Sequence, residues 1–336
     1  MPPSIDPAIL SALAISPSTA TIKSHGGSGF AGTYRITTPS TSYFVKTANS
    51  SGAKVMFEGE HASLNAIHNV VPTLCPKSFA HGSLDKGGGY FLATEFLDLG
   101  VGRREVGKGG KGSEMTLAQK MAKLHSTSAS APEGYEKLMF GFPVATCCGD
   151  TPQRNEWRES WAEFFGQHRL MAILERNEKN NGKDAELRKV VERTVNEVVP
   201  RLLGDGHLGG TQGIKPVVVH GDLWSGNKGK GSFVGRDSSN PDEPGPIEDV
   251  VFDPSSCYAH NEFDFGIMQM FGGFGGSFFK EYHSIVPKTE PVEEYEDRVS
   301  LYESYHHLNH NAIFGGSYKS GAMGILKRLL KKYGEK

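Results

Sequence analysis

His220-Gly221-Asp222-Leu223-Trp224-Ser225-Gly226-Asn227 follows a valine run, Val217–Val219, and Val250-Val251-Phe252-Asp253-Pro254 closes a second apolar run further along the chain. Two strand ends each deliver a carboxylate, and an amide side chain lies five residues after the first. This set suits phosphoryl transfer, in which a protein supplies positioning and charge neutralisation rather than covalent chemistry. Asp222 suits the orientation of an acceptor hydroxyl and the uptake of its proton. Asn227 and Asp253 offer the oxygen ligands that Mg²⁺ takes while it holds nucleotide phosphates. Trp224 and His220, in the same loop, are the candidate substrate contacts; an exposed indole there would stack on a sugar or its linked amine, although it also suits packing. Alone, His-Gly-Asp is only a turn, and a single Asp after a strand often caps a helix. Order, spacing and strand context together carry the catalytic reading.

The elements that must position these groups are legible upstream. Thr21–Lys23 and Gly32–Thr37 read as strands around a glycine-rich turn, Ser24 to Ala31. In such a turn the backbone N–H groups of Ser28, Gly29 and Phe30 are expected to approach phosphate oxygens as an anion nest. Tyr43–Lys46 is a short β-prone run that ends in Lys46, which is expected to reach the phosphates. Met56–Ile67 reads as a helix with Met56, Leu64 and Ile67 as its buried stripe. Glu60 and Glu58 both qualify as the partner of Lys46; Glu60 is favoured because Leu64 and Ile67 place it beside that stripe. Tyr90–Leu97 reads as a strand, with Glu95, Phe96 and Leu97 at the adenine edge. This order belongs to the small lobe of a kinase and not to a Rossmann fold.

The remainder reads as mainly helical. Thr116–His125, Asn155–Glu175 and Ala185–Leu203 carry apolar stripes at helical spacing, taken as core. Val101–Ser113 reads as a loop, and Lys228–Pro246, rich in Gly, Ser, Pro and Asp, as a surface insertion. Asp264 is expected to brace the catalytic loop. The predicted fold is α+β and bilobal, protein-kinase-like, with a small β-rich N-lobe over residues 1–97 and a larger helical C-lobe over 98–336. ATP and Mg²⁺ are the expected cofactors.

Composition narrows the setting. The net charge of −2 lacks the basic excess of a general nucleic-acid binder. Four cysteines are too few for a disulfide scaffold in 336 residues, so reduced thiols and a cytoplasmic location are expected. The apolar stretch Ala8–Ile15 is too short to span a bilayer, and no membrane association is expected.

At the catalytic loop a resemblance becomes specific. HGDLWSGN, residues 220–227, resembles the catalytic loop of the fructosamine kinase family, which includes ketosamine and ribulosamine 3-kinases. MFEGE (56–60), FGFPVATCCG (140–149), FDPS (252–255), MFGGF (270–274), YHSIVPK (282–288) and LNHNAIFGG (308–316) are similar to further signatures of that family. The resemblance implies an aminoglycoside-phosphotransferase-like fold. It also implies transfer of the ATP γ-phosphate to the 3-hydroxyl of a ketoamine sugar on a protein amine, which leads to deglycation. Asp222 would then accept the proton, Asn227 and Asp253 would bind Mg²⁺, and Lys46 with Glu60 would set the phosphates. Glu95 to Leu97 would meet adenine. Glycated proteins or ketoamine small molecules are the implied substrates. Two features depart from the family: residues 24–31 contain no Cys, and the 228–246 stretch is longer. The rival readings are a kinase for another hydroxylated amine, choline- or aminoglycoside-like, and a kinase-shaped binding protein. Degraded motifs would favour the latter, yet Lys46, Glu60, Asp222, Asn227 and Asp253 are all present.

Overall fold

The computed structural model describes residues 4–26, 31–100, 114–236 and 243–335. Two compact units divide the chain: residues 1–120 with 227–254, and residues 121–226 with 255–336. The first unit takes in a hairpin that the composition of Lys228–Pro246 conceals.

In the first unit, β1 (Thr21–Ser24), β2 (Gly32–Thr37), β3 (Ser42–Ala48), β4 (Ser78–Ser83) and β5 (Tyr90–Glu95) form a five-stranded sheet in the order β1-β2-β3-β5-β4. All of its pairings are antiparallel. Successive strand residues face opposite ways, and β5 uses both faces. Phe91 and Ala93 join Ile9, Ile36 and Val45 in one core. Leu92 joins Ala48, Ala53 and Phe57 in another, beneath helix Ala53–Val70. That helix buries Phe57, Leu64 and Ile67. Phe57 thus takes the place expected for Met56, one residue out of phase. Burying each such side chain contributes roughly 2 kcal/mol.

A second sheet of the same unit has the order β11-β10-β6, built from β6 (Leu97–Asp98), β10 (Lys228–Val234) and β11 (Pro244–Val251). The stretch read as a surface insertion is largely this antiparallel hairpin, with Phe233 opposite Leu97. Its glycines are packing devices: a Cβ on Gly231 would lie 2.9 Å from Leu97 Cδ1. Residues 237–242, at its tip, and Val101–Ser113 lie outside the described residues.

The second unit is mainly helical. It contains the hairpin β7 (Thr146–Cys148) and β8 (Thr151–Gln153), and the short pair β9 (Val217–Val218) and β12 (Tyr258–Ala259). Helix Trp161–Phe165 continues through a π-helical stretch, Gly166–Met171, into Ala172–Asn181. It begins later than the expected Asn155, because Ser160 caps it by accepting from the Glu163 N–H. The Ser160…Glu163 spacing is that of a capping box. Trp161, Phe165, Phe263 and Tyr302 make the aromatic centre of this unit, each fully buried. No helix among the described residues is long and apolar enough to cross a membrane.

Candidate active site

In the first unit, three charged side chains from distant parts of the chain meet. Lys46 Nζ donates to Glu60 Oε1 at 2.7 Å and to Asp253 Oδ1 at 2.6 Å. Strand β3 holds Lys46 opposite Leu92 on one neighbour and Thr33 on the other. The partner from the helix is Glu60, not Glu58. Burial works against the lysine charge, but the two carboxylates outweigh it and hold the ammonium pKa above its ordinary value.

Asp253 stands just past β11 with φ of 56°. A non-glycine residue in this left-handed region stores about 1–2 kcal/mol of strain. Its carboxylate is about half exposed, at 53%. The Phe252 N–H donates to the Asn227 carbonyl at 3.1 Å, so the end of β11 and the start of β10 keep Asp253 and Asn227 side by side. An amide oxygen and a carboxylate are a donor set that fits Mg²⁺, which completes its shell with waters and phosphates. The ammonium already seated on Asp253 Oδ1 shows that this oxygen accepts positive charge.

The Glu95 side chain is held apart from its backbone role. Its carboxylate pairs with Arg236 and accepts from the Lys77 N–H. Phe96 is buried beneath the Arg35 guanidinium, and its carbonyl accepts from the Val234 N–H at 3.1 Å. Ser28, Gly29 and Phe30 lie outside the described residues. At the base of their loop, the His25 N–H donates to the Thr33 carbonyl, and the Thr33 hydroxyl donates back to the His25 carbonyl.

In the second unit, the loop that carries Asp222 hangs from one buried carboxylate. Asp264 accepts from the His220 N–H at 2.8 Å, the Gly221 N–H at 2.7 Å and His125 Nε2 at 3.1 Å. Burial alone would raise the Asp264 pKa. The His125 hydrogen bond, with the Gly221 N–H adding to it, instead holds that carboxyl below the ordinary range. Gly221 has φ of 81°, and a Cβ on it would lie 2.0 Å from the Ser255 carbonyl oxygen, so glycine is required. His220 is not a substrate contact. Its ring is fully buried, and its Nδ1 accepts from the Asp222 N–H at 3.2 Å, which makes it part of the loop's frame.

The Cys148 thiol, from β7, donates to Asp222 Oδ1 at 3.7 Å. Sequence reasoning assigned this cysteine no role; its place in FGFPVATCCG was the available signal. Trp224 is exposed and its ring lies over Gly226, where a Cβ would come within 2.2 Å of it. Phe271 stands beside it, the ring centroids 5.8 Å apart.

The family model described as fructosamine kinase matches residues 7–332. The chain belongs to the fructosamine kinase family. Its reaction is therefore phosphoryl transfer to a hydroxyl of a sugar adduct, with ATP as donor. Within the family, the mouse ketosamine-3-kinase is 34% identical over 299 residues, covering 86% of this chain and 88% of that protein. The Arabidopsis thaliana chloroplastic protein-ribulosamine 3-kinase is 35% identical over 294 residues, covering 88% and 78%. The fold is shared with a Haemophilus somnus 129PT protein described as a fructosamine-3-kinase, at a TM-score of 0.70, 21% identity and 97% coverage of each chain. It is shared too with the aminoglycoside phosphotransferase APH(4)-Ia, at a TM-score of 0.53, 10% identity and 94% coverage of each. The α+β kinase-like architecture expected from the sequence is thus the one found.

Proposed function

We propose that this enzyme phosphorylates the 3-hydroxyl of ribulosamine or fructosamine adducts on protein amines. Asp222 accepts the hydroxyl proton as the oxygen attacks the γ-phosphorus and ADP departs. Asp264 keeps the base in place through the His220 and Gly221 N–H groups. Lys46, held by Glu60, neutralises phosphate charge. Asn227 and Asp253 would hold Mg²⁺, which supplies charge neutralisation on the nucleotide when bound. Glu95 to Leu97 meet adenine through backbone groups. The Glu95 side chain is left to Arg236. The 3-phosphate adduct is unstable and releases the amine, so the outcome is deglycation. The four cysteines are free thiols, which supports a reducing, cytoplasmic setting.

The observation that carries this reading is the pairing of Lys46 with both Glu60 and Asp253. Kinase chemistry needs these three charges together, and nothing in the fold alone demands them. The test is phosphate transfer from ATP to lysine peptides modified with ribulose and with fructose. Transfer is expected to at least one, and Asp222→Asn is expected to lower kcat by about 10²–10⁴-fold, as for loss of a general base. Near-normal turnover by Asp222→Asn would remove Asp222 from its role.

A further inference from the structure

Among the described residues, large aromatic side chains are exposed at several places, and at one of them the rings are contiguous. Trp224 is 39% exposed, Phe271 38% and Phe314 63%. Between them lies His310, with ring centroids 5.0 Å from Phe271 and 5.8 Å from Phe314. Tyr318 flanks the far end, 5.2 Å from His310. With the 5.8 Å step from Trp224 to Phe271, the rings form an unbroken row that starts two residues after Asp222. The backbone ties the start of the row to the base: the Trp224 N–H donates to the Asp222 carbonyl at 3.1 Å.

Singly exposed aromatics need no explanation, whereas a contiguous row marks a binding surface. The row is uncharged. Burial holds His310 below the ordinary imidazole pKa, against the opposing hydrogen bond to the His306 carbonyl, so the ring is neutral near pH 7. Such a surface offers no positive charge to a phosphate. It suits apolar side chains and the π-faces of peptide groups. Its length also exceeds one sugar: the three ring-to-ring steps match about five residues of extended chain at roughly 3.3 Å each.

We propose that the row from Trp224 to Tyr318 binds the polypeptide that carries the ketoamine, and selects adducts on lysines flanked by apolar or aromatic residues over free ketoamine metabolites. This rests on the kinase reading of Asp222. Continuity with the catalytic loop identifies the occupant, because whatever leaves the Asp222 loop in that direction runs along these rings. Trp224 stands nearest the sugar, and Phe271, His310 and Phe314 take the chain beyond it.

The test compares three acceptors bearing the same ribulose adduct: Nα-acetyl-lysine amide, a short peptide with Leu and Phe flanks, and the same peptide with Gly and Ser flanks. The wild-type enzyme is expected to favour the apolar peptide by about tenfold in kcat/KM, mostly through KM, as for an aromatic anchor in an interface. Phe314→Ser is expected to erase most of that preference with the acetyl-lysine rate unchanged, and Phe314→Tyr to restore it. Equal kcat/KM for the three acceptors in the wild type would overturn the proposal with the kinase reading intact. So would a Phe314→Ser loss that is the same for all three. If sedimentation shows a dimer that Phe314→Ser dissociates with the peptide preference unchanged, the row is a self-association face and the proposal fails. No transfer to any acceptor removes the kinase reading itself, and the inference with it.

Discussion

The Cys148 thiol donates a hydrogen bond to Asp222 Oδ1 across 3.7 Å, and the Cys148 carbonyl accepts from Asn309 Nδ2 at 3.2 Å. Burial, and then the negative charge of Asp222, push the thiol pKa well above its ordinary value, so it stays an S–H donor. A donor aimed at a carboxylate favours the ionised form, which is the form a base needs. Cys148→Ala is therefore expected to move the acid limb of the kcat/KM profile to higher pH and to lower kcat about fivefold, in line with the loss of one weak hydrogen bond worth about 1 kcal/mol. Cys148→Ser keeps a donor and is expected to keep the wild-type limb. A pH–rate profile of the three proteins checks this; superimposable limbs would reduce the thiol to packing.

Glu60→Gln leaves Lys46 with Asp253 as its partner in the triad. The lysine is then expected to lean on Asp253, a proposed metal ligand. The KM for ATP should rise and kcat fall, together by about tenfold or more in kcat/KM. Steady-state kinetics with ATP varied reads this directly. An unchanged KM for ATP would mean that Lys46 does not set the phosphates.

Asp264→Ala strands two backbone N–H groups and the His125 ring in a fully buried place. A loss of about 3 kcal/mol or more in unfolding free energy is expected. Because the folded pKa is depressed, the stabilisation from Asp264 is complete above the ordinary Asp range near about 4. It disappears as pH falls through the lower folded value. Urea denaturation is expected to show wild type and variant converging in strong acid; a gap that persists there would place the effect in packing rather than charge.

Two buried imidazoles set a second pH dependence. Burial lowers His260 to about 4 and His306 to about 3 from an ordinary 6.5. Between those values the unfolded chain binds protons that the folded protein refuses, so stability rises with pH across the window and is complete above 6.5. Each ring is expected to remove on the order of 1 kcal/mol per pH unit as pH falls from about 6.5 towards 4. Neither nitrogen of His306 has a hydrogen-bond partner among the described residues. His306→Leu should therefore flatten the slope without a large loss at pH 7.5. Denaturation midpoints at pH 7.5 and 5 decide it, and a flat wild-type profile would contradict buried neutral rings.

The sequence by itself determined the chemistry. Asp222, Trp224 and Asn227 lie in one short string whose covalent spacing limits how they can be arranged, and Asp253 ends an apolar run that reads as a strand without any partner in view. Helical phase was enough to prefer Glu60 over Glu58. It missed by one residue in naming Met56 rather than Phe57 for the stripe, because both neighbours are apolar. Only the tertiary structure decided which groups meet. Lys46 and Asp253 are 207 residues apart in the chain, and Cys148 and Asp222 are 74 apart. No local pattern encodes such pairs, since they follow from how sheets and helices pack. The β10–β11 hairpin was hidden for the same reason. Its Gly- and Ser-rich stretch lacks the alternation that marks a strand, and becomes one because Leu97–Asp98 and Pro244–Val251 satisfy its backbone and demand residues without bulk. His220 looked like a substrate contact from its place beside Asp222; the fold turns it inward, because the loop needs its Nδ1 to accept the Asp222 N–H.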